Sequence, residues 1–273
     1  MIKDILTVVD NAEESDGFLG RFAVAAKRMK AHSAVTVLTP SPMISPALAP
    51  FGSIYLPDYE LRHDASIAMA QVKMLVGDEQ PKADIGGTYG DVAWLTHGLK
   101  AEEATADLIV ITAEEAWSVR WLRRRVIETL LLSSGTPVLL LPAGGDVPIV
   151  GKALLGWKRS REARRAMRDM IACVEPRATI EVASVGDGAG FEAPPDAPCG
   201  IVDHLRRHGF EASRTYLNRA GSTGDTLQAA ALELGADLLV VGGFAHSRVR
   251  EIMLGGVTRS LIQHPRLPIL MSH

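Results

Sequence analysis

Short apolar runs alternate along this chain with stretches in which apolar positions recur every three or four residues. Residues 2–9 form a β-rich run that ends at Asp10, and Phe18, Phe22, Ala25 and Met29 then mark an amphipathic helix. A strand over 34–39 leads into a Pro-rich loop over 40–57, followed by a helix over 61–76 and a short strand over 82–89. The pattern continues with a helix over 91–104 and a nearly all-apolar strand over 107–112, the pattern of a parallel strand covered on both faces. After a basic stretch, a helix over 126–134 and a strand over 137–141 complete this first series.

The same order then recurs. A strand over 153–157 precedes a helix with Ala163, Met167, Met170, Ile171 and Val174 on one face. Next come a strand over 179–185, a Gly/Pro loop to 198, a helix over 201–208, a strand over 211–217 and a helix over 225–234. A strand over 237–241, a Gly-flanked loop, a helix over 257–264 and a strand over 268–271 end the series. Ala106-Asp107-Leu108-Ile109-Val110-Ile111 aligns with Ala236-Asp237-Leu238-Leu239-Val240-Val241, and Pro137-Val138-Leu139-Leu140 aligns with Pro268-Ile269-Leu270-Met271, at nearly one offset. Two matches in the same order of elements point to duplication. The chain is thus expected to hold two α/β domains, 1–143 and 151–273, joined by a linker at 144–150. Each domain should be a doubly wound parallel sheet of five strands with helices on both faces.

Composition narrows the function classes. With 47% hydrophobic and 22% charged residues the chain can bury real cores. Its 29 basic and 32 acidic residues leave a net charge of −3, so no global field favours nucleic acid or an acidic membrane. The first residues read as a strand and not as a signal peptide, no apolar run has the length of a membrane span, and a cytoplasmic location is expected. Cys173 and Cys199 are too few for a disulfide framework or a zinc ribbon and are expected as reduced thiols.

Several local patterns carry no chemistry. Gly145 to Lys152 has the wrong spacing for a phosphate loop and precedes a strand, which makes it linker. Gly186, Gly188 and Gly190 miss the dinucleotide fingerprint. His204 and His208 share a helix face but have no third ligand, so no metal is expected there. Gly221 to Asp225 reads as a helix N-cap, and Arg123-Arg124-Arg125 as a solvated helix end. Lys158-Arg159-Ser160-Arg161 differs in standing directly after a first strand, where cations could meet phosphates. The segment from Gly242 through Gly243, Ala245, His246, Ser247 and Arg248 to Gly255, Gly256, Val257 and Thr258 is the strongest candidate. It offers a strand end, small residues and a helix start whose N–H groups can face an anion.

This segment resembles the ATP-binding signature of universal stress proteins: Gly, two residues, Gly, nine residues, Gly, then Ser or Thr. Gly242 and Gly255 fit, Ala245 replaces the second Gly, Gly256 replaces the hydroxyl residue, and Thr258 supplies a hydroxyl two positions on. The stretches Leu155-Gly-Trp-Lys-Arg-Ser-Arg-Glu-Ala163 and His246-Ser-Arg-Val-Arg-Glu251 are similar to that family as well. The resemblance implies a tandem, Rossmann-like fold of the nucleotide-binding α-hydrolase-like kind. It further implies ATP or AMP, with Mg, as ligand of the C-terminal domain, held by Trp157, Lys158, Val185 and the glycine segment. Family members place an Asp after the first strand near the ribose; Lys158 stands there in the second domain, and Asp10 in the first. In the first domain Thr112, Glu115, Arg125 and Val126 replace the glycine positions, so that domain is expected not to bind. The resemblance also implies an internal pseudo-dimer through strands 137–141 and 268–271, with a homodimer as a further expectation. It points to a regulatory stress-response protein, or else to a chaperone-like scaffold that has lost nucleotide; slow ATP hydrolysis is the third alternative, and the sequence positions no general base for it.

Overall fold

The computed structural model describes residues 2–10, 12–13, 15–41, 58–77, 82–90, 95, 105–186, 200–243 and 256–273. In the N-terminal half these form β1 (Asp4–Val9), α1 (Asp16–Met29), β2 (His32–Pro40), α2 (Asp58–Gly77), β3 (Asp84–Gly90), β4 (Leu108–Ile111), α3 (Arg120–Ser133) and β5 (Val138–Leu140). The C-terminal half contains β6 (Lys152–Gly156), α4 (Arg161–Cys173), β7 (Thr179–Gly186), α5 (Gly200–Arg207) and β8 (Glu211–Asn218). It ends with α6 (Thr223–Glu233), β9 (Leu238–Gly242), α7 (Gly256–Gln263) and β10 (Ile269–Ser272). The expected helix over 91–104 and most of the loops over 40–57 and 186–198 fall outside the described residues.

The strands lie in the order β3-β2-β1-β4-β5-β10-β9-β6-β7-β8. Within each half all pairings are parallel, and the order is the same: third, second, first, fourth, fifth. The two five-stranded sheets meet at the strands that the resemblance implies. β5 and β10 pair antiparallel, Ile269 opposite Leu140 and Met271 opposite Val138, so the ten strands form one continuous sheet. The cores are continuous too. On one face α1, α2, α4 and α5 cover Leu139, Val240 and Leu270; on the other α3, α6 and α7 cover Leu140, Val241 and Ile269.

The repeated Ala-Asp dipeptide has a physical role. The carboxylate of Asp107 accepts from the N–H groups of Lys3 (2.7 Å) and Asp4 (3.2 Å) at the start of β1. Asp237 does the same for Gly151 and Lys152, both at 2.9 Å, at the start of β6. Each satisfies strand-end donors that have no ladder partner. The linker after β5 is held down as well: Val147 and Val150 are buried, and Arg28 donates to the Val147 carbonyl at 2.8 Å.

α3 begins six residues before the expected 126, because Leu122, Val126 and Leu130 continue one buried stripe. This places the arginine run inside the helix and corrects its reading as a solvated end. Arg123 is 2% exposed. Its Nε donates to the Thr112 carbonyl at 2.7 Å and its Nη1 to the Ile262 carbonyl at 2.8 Å, across the seam between the halves. Burial lowers its pKa to about 10, with Glu114 and Glu115 pulling the other way, so it stays charged. Arg165 adds a second bridge by donating to the Gly135 carbonyl. Arg123→Ala should cost about 3 kcal/mol in urea unfolding, since it opens a void and leaves two buried carbonyls unpaired. Arg124→Ala, which takes the partner from the buried Glu128 carboxylate, should cost less, about 1–2 kcal/mol.

Candidate functional site

β6 ends in Gly156, and the turn that follows is fixed from three sides. The Trp157 N–H donates to the Ala183 carbonyl at 2.7 Å, and the Ser184 hydroxyl donates to the Trp157 carbonyl at 3.3 Å. Ser160 then caps α4, its Oγ accepting from the Ala163 N–H at 3.1 Å. β9 arrives beside this turn. A Cβ on Gly242 would lie 2.6 Å from both the Ala163 nitrogen and the Glu162 carbonyl carbon. Only glycine lets the strand pass the first turn of α4.

A cavity of about 860 Å³ opens at the carboxyl ends of β6, β7, β8 and β9. Strand order reverses between β6 and β9, the place where open parallel sheets bind ligands. Trp157, Lys158, Val185, Gly242, Gly256, Val257 and Thr258 all line it, so these sequence-derived candidates are brought together. Gly243 is not. Its N–H donates to the Ser272 carbonyl at 2.8 Å and its carbonyl meets His273 Nδ1 at 3.3 Å, which takes it away from any anion. Ala245, His246, Ser247, Arg248 and Gly255 lie outside the described residues.

Sequence reasoning missed the far wall. Arg214, Tyr216 and Arg219, on and just after β8, line the same cavity, as do Ile201, Thr223 and Leu227. Alternation along β8 separates Arg214 and Tyr216 from Thr215, but the strand order that carries them to the crevice is not written locally. The Arg214 guanidinium carbon sits 4.6 Å from the Tyr216 ring centroid. With Lys158 and Arg159 the described lining holds four cations and no carboxylate. Carboxylates nearby are committed to helix starts. Burial raises Glu162, but its own N–H, the Ser160 hydroxyl, His273 and Arg161 together hold it below the usual carboxylate range. Asp225 is held low by the hydroxyls of Ser222 and Ser260, and Ser222 caps α6 as the sequence suggests.

In the N-terminal half the residue after the first strand bonds to that half's own backbone. Asp10, at the position corresponding to Lys158, accepts from the N–H groups of Ser118 (3.1 Å) and Val119 (2.9 Å) just before α3. Glu114–Ala116 form a 3₁₀ turn, Trp117 is buried, and the Ser15 hydroxyl donates to the Ala116 carbonyl at 3.2 Å, tying the two loops together. Elsewhere, the His204 and His208 rings meet edge-on at 4.6 Å, and among the described residues no three His, Cys, Asp or Glu side chains gather to hold a metal. Burial and Asp169 push the Cys173 thiol up to about 12. No described helix is long and apolar enough to cross a membrane.

The packing at Gly242 generates a stability test. Gly242→Ala should cost roughly 1–3 kcal/mol, because backbone on α4 must move to admit the methyl group. Gly256→Ala, where an added Cβ meets nothing within 4 Å, should leave the unfolding midpoint unchanged or slightly raised.

Comparison with known proteins agrees with this geometry. Residues 152–273 match the Universal stress protein family. A universal stress protein structure from Archaeoglobus fulgidus DSM 4304 is similar over 98% of this chain and 95% of its own, at 16% identity and a TM-score of 0.66. A candidate universal stress protein from Pseudomonas aeruginosa UCBPP-PA14 is similar over 99% of this chain and 93% of its own, at 13% identity and a TM-score of 0.56. No curated protein matches the sequence. The family likeness is thus carried by residues 152–273, and along its whole length the chain shares the fold of structures bearing that name.

Proposed function

We propose that the protein binds one adenine nucleotide, ATP or AMP, in the C-terminal cavity and acts as a cytoplasmic regulator in the stress response, built from two copies of one domain. The single observation that carries this reading is the lining of the cavity. Four cations without a carboxylate suit phosphates, while Trp157, Tyr216, Val185 and Val257 offer flat and apolar surface for a base. The described lining has neither carboxylate nor histidine to act as general base, which favours binding over turnover. It also gives a magnesium ion no carboxylate ligand. The residues do not fit that ion, and the cations themselves would neutralise the phosphates.

Calorimetry with ATP and AMP tests the reading. One nucleotide per chain is expected, with an affinity that EDTA does not reduce. Lys158→Glu should weaken binding by about tenfold or more, the size of a charge-assisted contact. Asp10→Ala should leave affinity within about twofold, since Asp10 serves its own half. Two equivalent sites, or loss of binding in Asp10→Ala but not in Lys158→Glu, would overturn the proposal. Lys158 in place of the family's ribose acceptor favours a second reading, a scaffold or chaperone-like protein that binds no nucleotide. Absence of any heat of binding selects it.

A further inference from the structure

The cations of the cavity fall into two groups. Lys158 and Arg159 follow β6; Arg214 and Arg219 belong to β8 and the turn after it. β7 lies between those strands, so at 4.7–4.9 Å per strand the two backbones stand about 10 Å apart. Trp157 and Ser184 line the space between, and Tyr216 backs the β8 side. A ligand with all its phosphates in one chain would meet one group and leave the other facing apolar surface.

Arg214 sharpens the point. Its guanidinium face is stacked on Tyr216, which leaves the N–H edge for an acceptor. Its Nε is buried and has no hydrogen-bond partner among the described residues. A buried charged donor left without an acceptor is destabilising, and a phosphate oxygen is the acceptor whose geometry matches an arginine edge. Register places Arg214 beside Val182, one step before the level at which Ala183 pairs with Gly156, so it stands at the depth of the cavity floor and not at its outer rim.

We infer that the β8 side of the cavity is a second anion subsite, and that the ligand is a nucleoside bisphosphate, a nucleotide carrying a further phosphate on its ribose away from the 5′ position. This rests on the proposed nucleotide reading and narrows it. The 5′-phosphate faces one cationic group, the nucleoside lies across Trp157 and Tyr216, and the second phosphate faces Arg214 and Arg219. Four cations then meet two dianions, which matches charge as well as spacing.

Adenosine 3′,5′-bisphosphate and ADP carry two phosphates each and differ in whether these sit on one side of the nucleoside or on two. Titration calorimetry of the full chain with both, and with AMP, decides the matter. The bisphosphate should bind about tenfold more tightly than ADP, and Arg214→Gln should erase that preference. Arg219→Gln is the second variant, should Arg214→Gln lower the melting temperature of the unliganded chain. Equal affinity for ADP and the bisphosphate would overturn the subsite and leave nucleotide binding standing. A preference that survives in both variants would overturn it as well. If none of the three ligands binds, both the subsite and the nucleotide reading fall.

Discussion

The antiparallel pairing of β5 with β10 is the constraint on which the rest of the molecule depends. Val138, Leu139 and Leu140 are buried on both faces of the sheet, and without a neighbour their outer edge would present unpaired backbone groups beside apolar side chains. Joining the two edges satisfies those groups and sets α3 against α7 across the seam. Arg123 can then reach from the end of β4 to the Ile262 carbonyl at the end of α7. The other end of α7 supplies Gly256, Val257 and Thr258 to the cavity. The N-terminal half thus fixes one wall of a site to whose described lining it gives no residue.

The two halves answer one electrostatic problem in opposite ways. In a doubly wound sheet the crevice at the strand ends gathers N–H groups that attract negative charge. The N-terminal half meets the N–H groups of Ser118 and Val119 with its own Asp10 carboxylate. In the C-terminal half Lys158 follows the first strand, Arg159, Arg214 and Arg219 add to it, and the crevice stays open. The position after the first strand thus carries opposite charge in the two halves of one fold, Asp10 in one and Lys158 in the other.

Much of this was legible in the sequence, and for local reasons. Strand and helix periods located nearly every described element, and the Ala-Asp repeat marked two capping carboxylates that do the same work in each half. Gly242 was singled out for the approach of an anion, and the structure gives it a packing cause: the backbone of α4 crowds it, at 2.6 Å from where a Cβ would stand. What stayed hidden depended on distant partners. A run of three arginines reads as solvated until Ile262, 139 residues away, is seen to accept from the first of them. Arg214 and Tyr216 look like ordinary alternation on an edge strand until the strand order brings them to the crevice. Gly243 looked like a phosphate donor, yet the neighbouring β10 had already claimed its N–H.

Because the two mating strands belong to one chain, their union is unimolecular. A single half carrying the same edge could find a partner only by collision, and its pairing would dissolve on dilution. Here the linker holds the edges together at an effective concentration of order millimolar or above, whatever the abundance of the protein. Pinning of that linker by Val147, Val150 and Arg28 shortens the search further. The adhesive edge is also used up. What remains outermost is β3, with Gly86, Gly87 and Gly90, and β8, with Glu211 and Ser213 turned to solvent. Among the described residues the sheet runs to ten strands between these two edges.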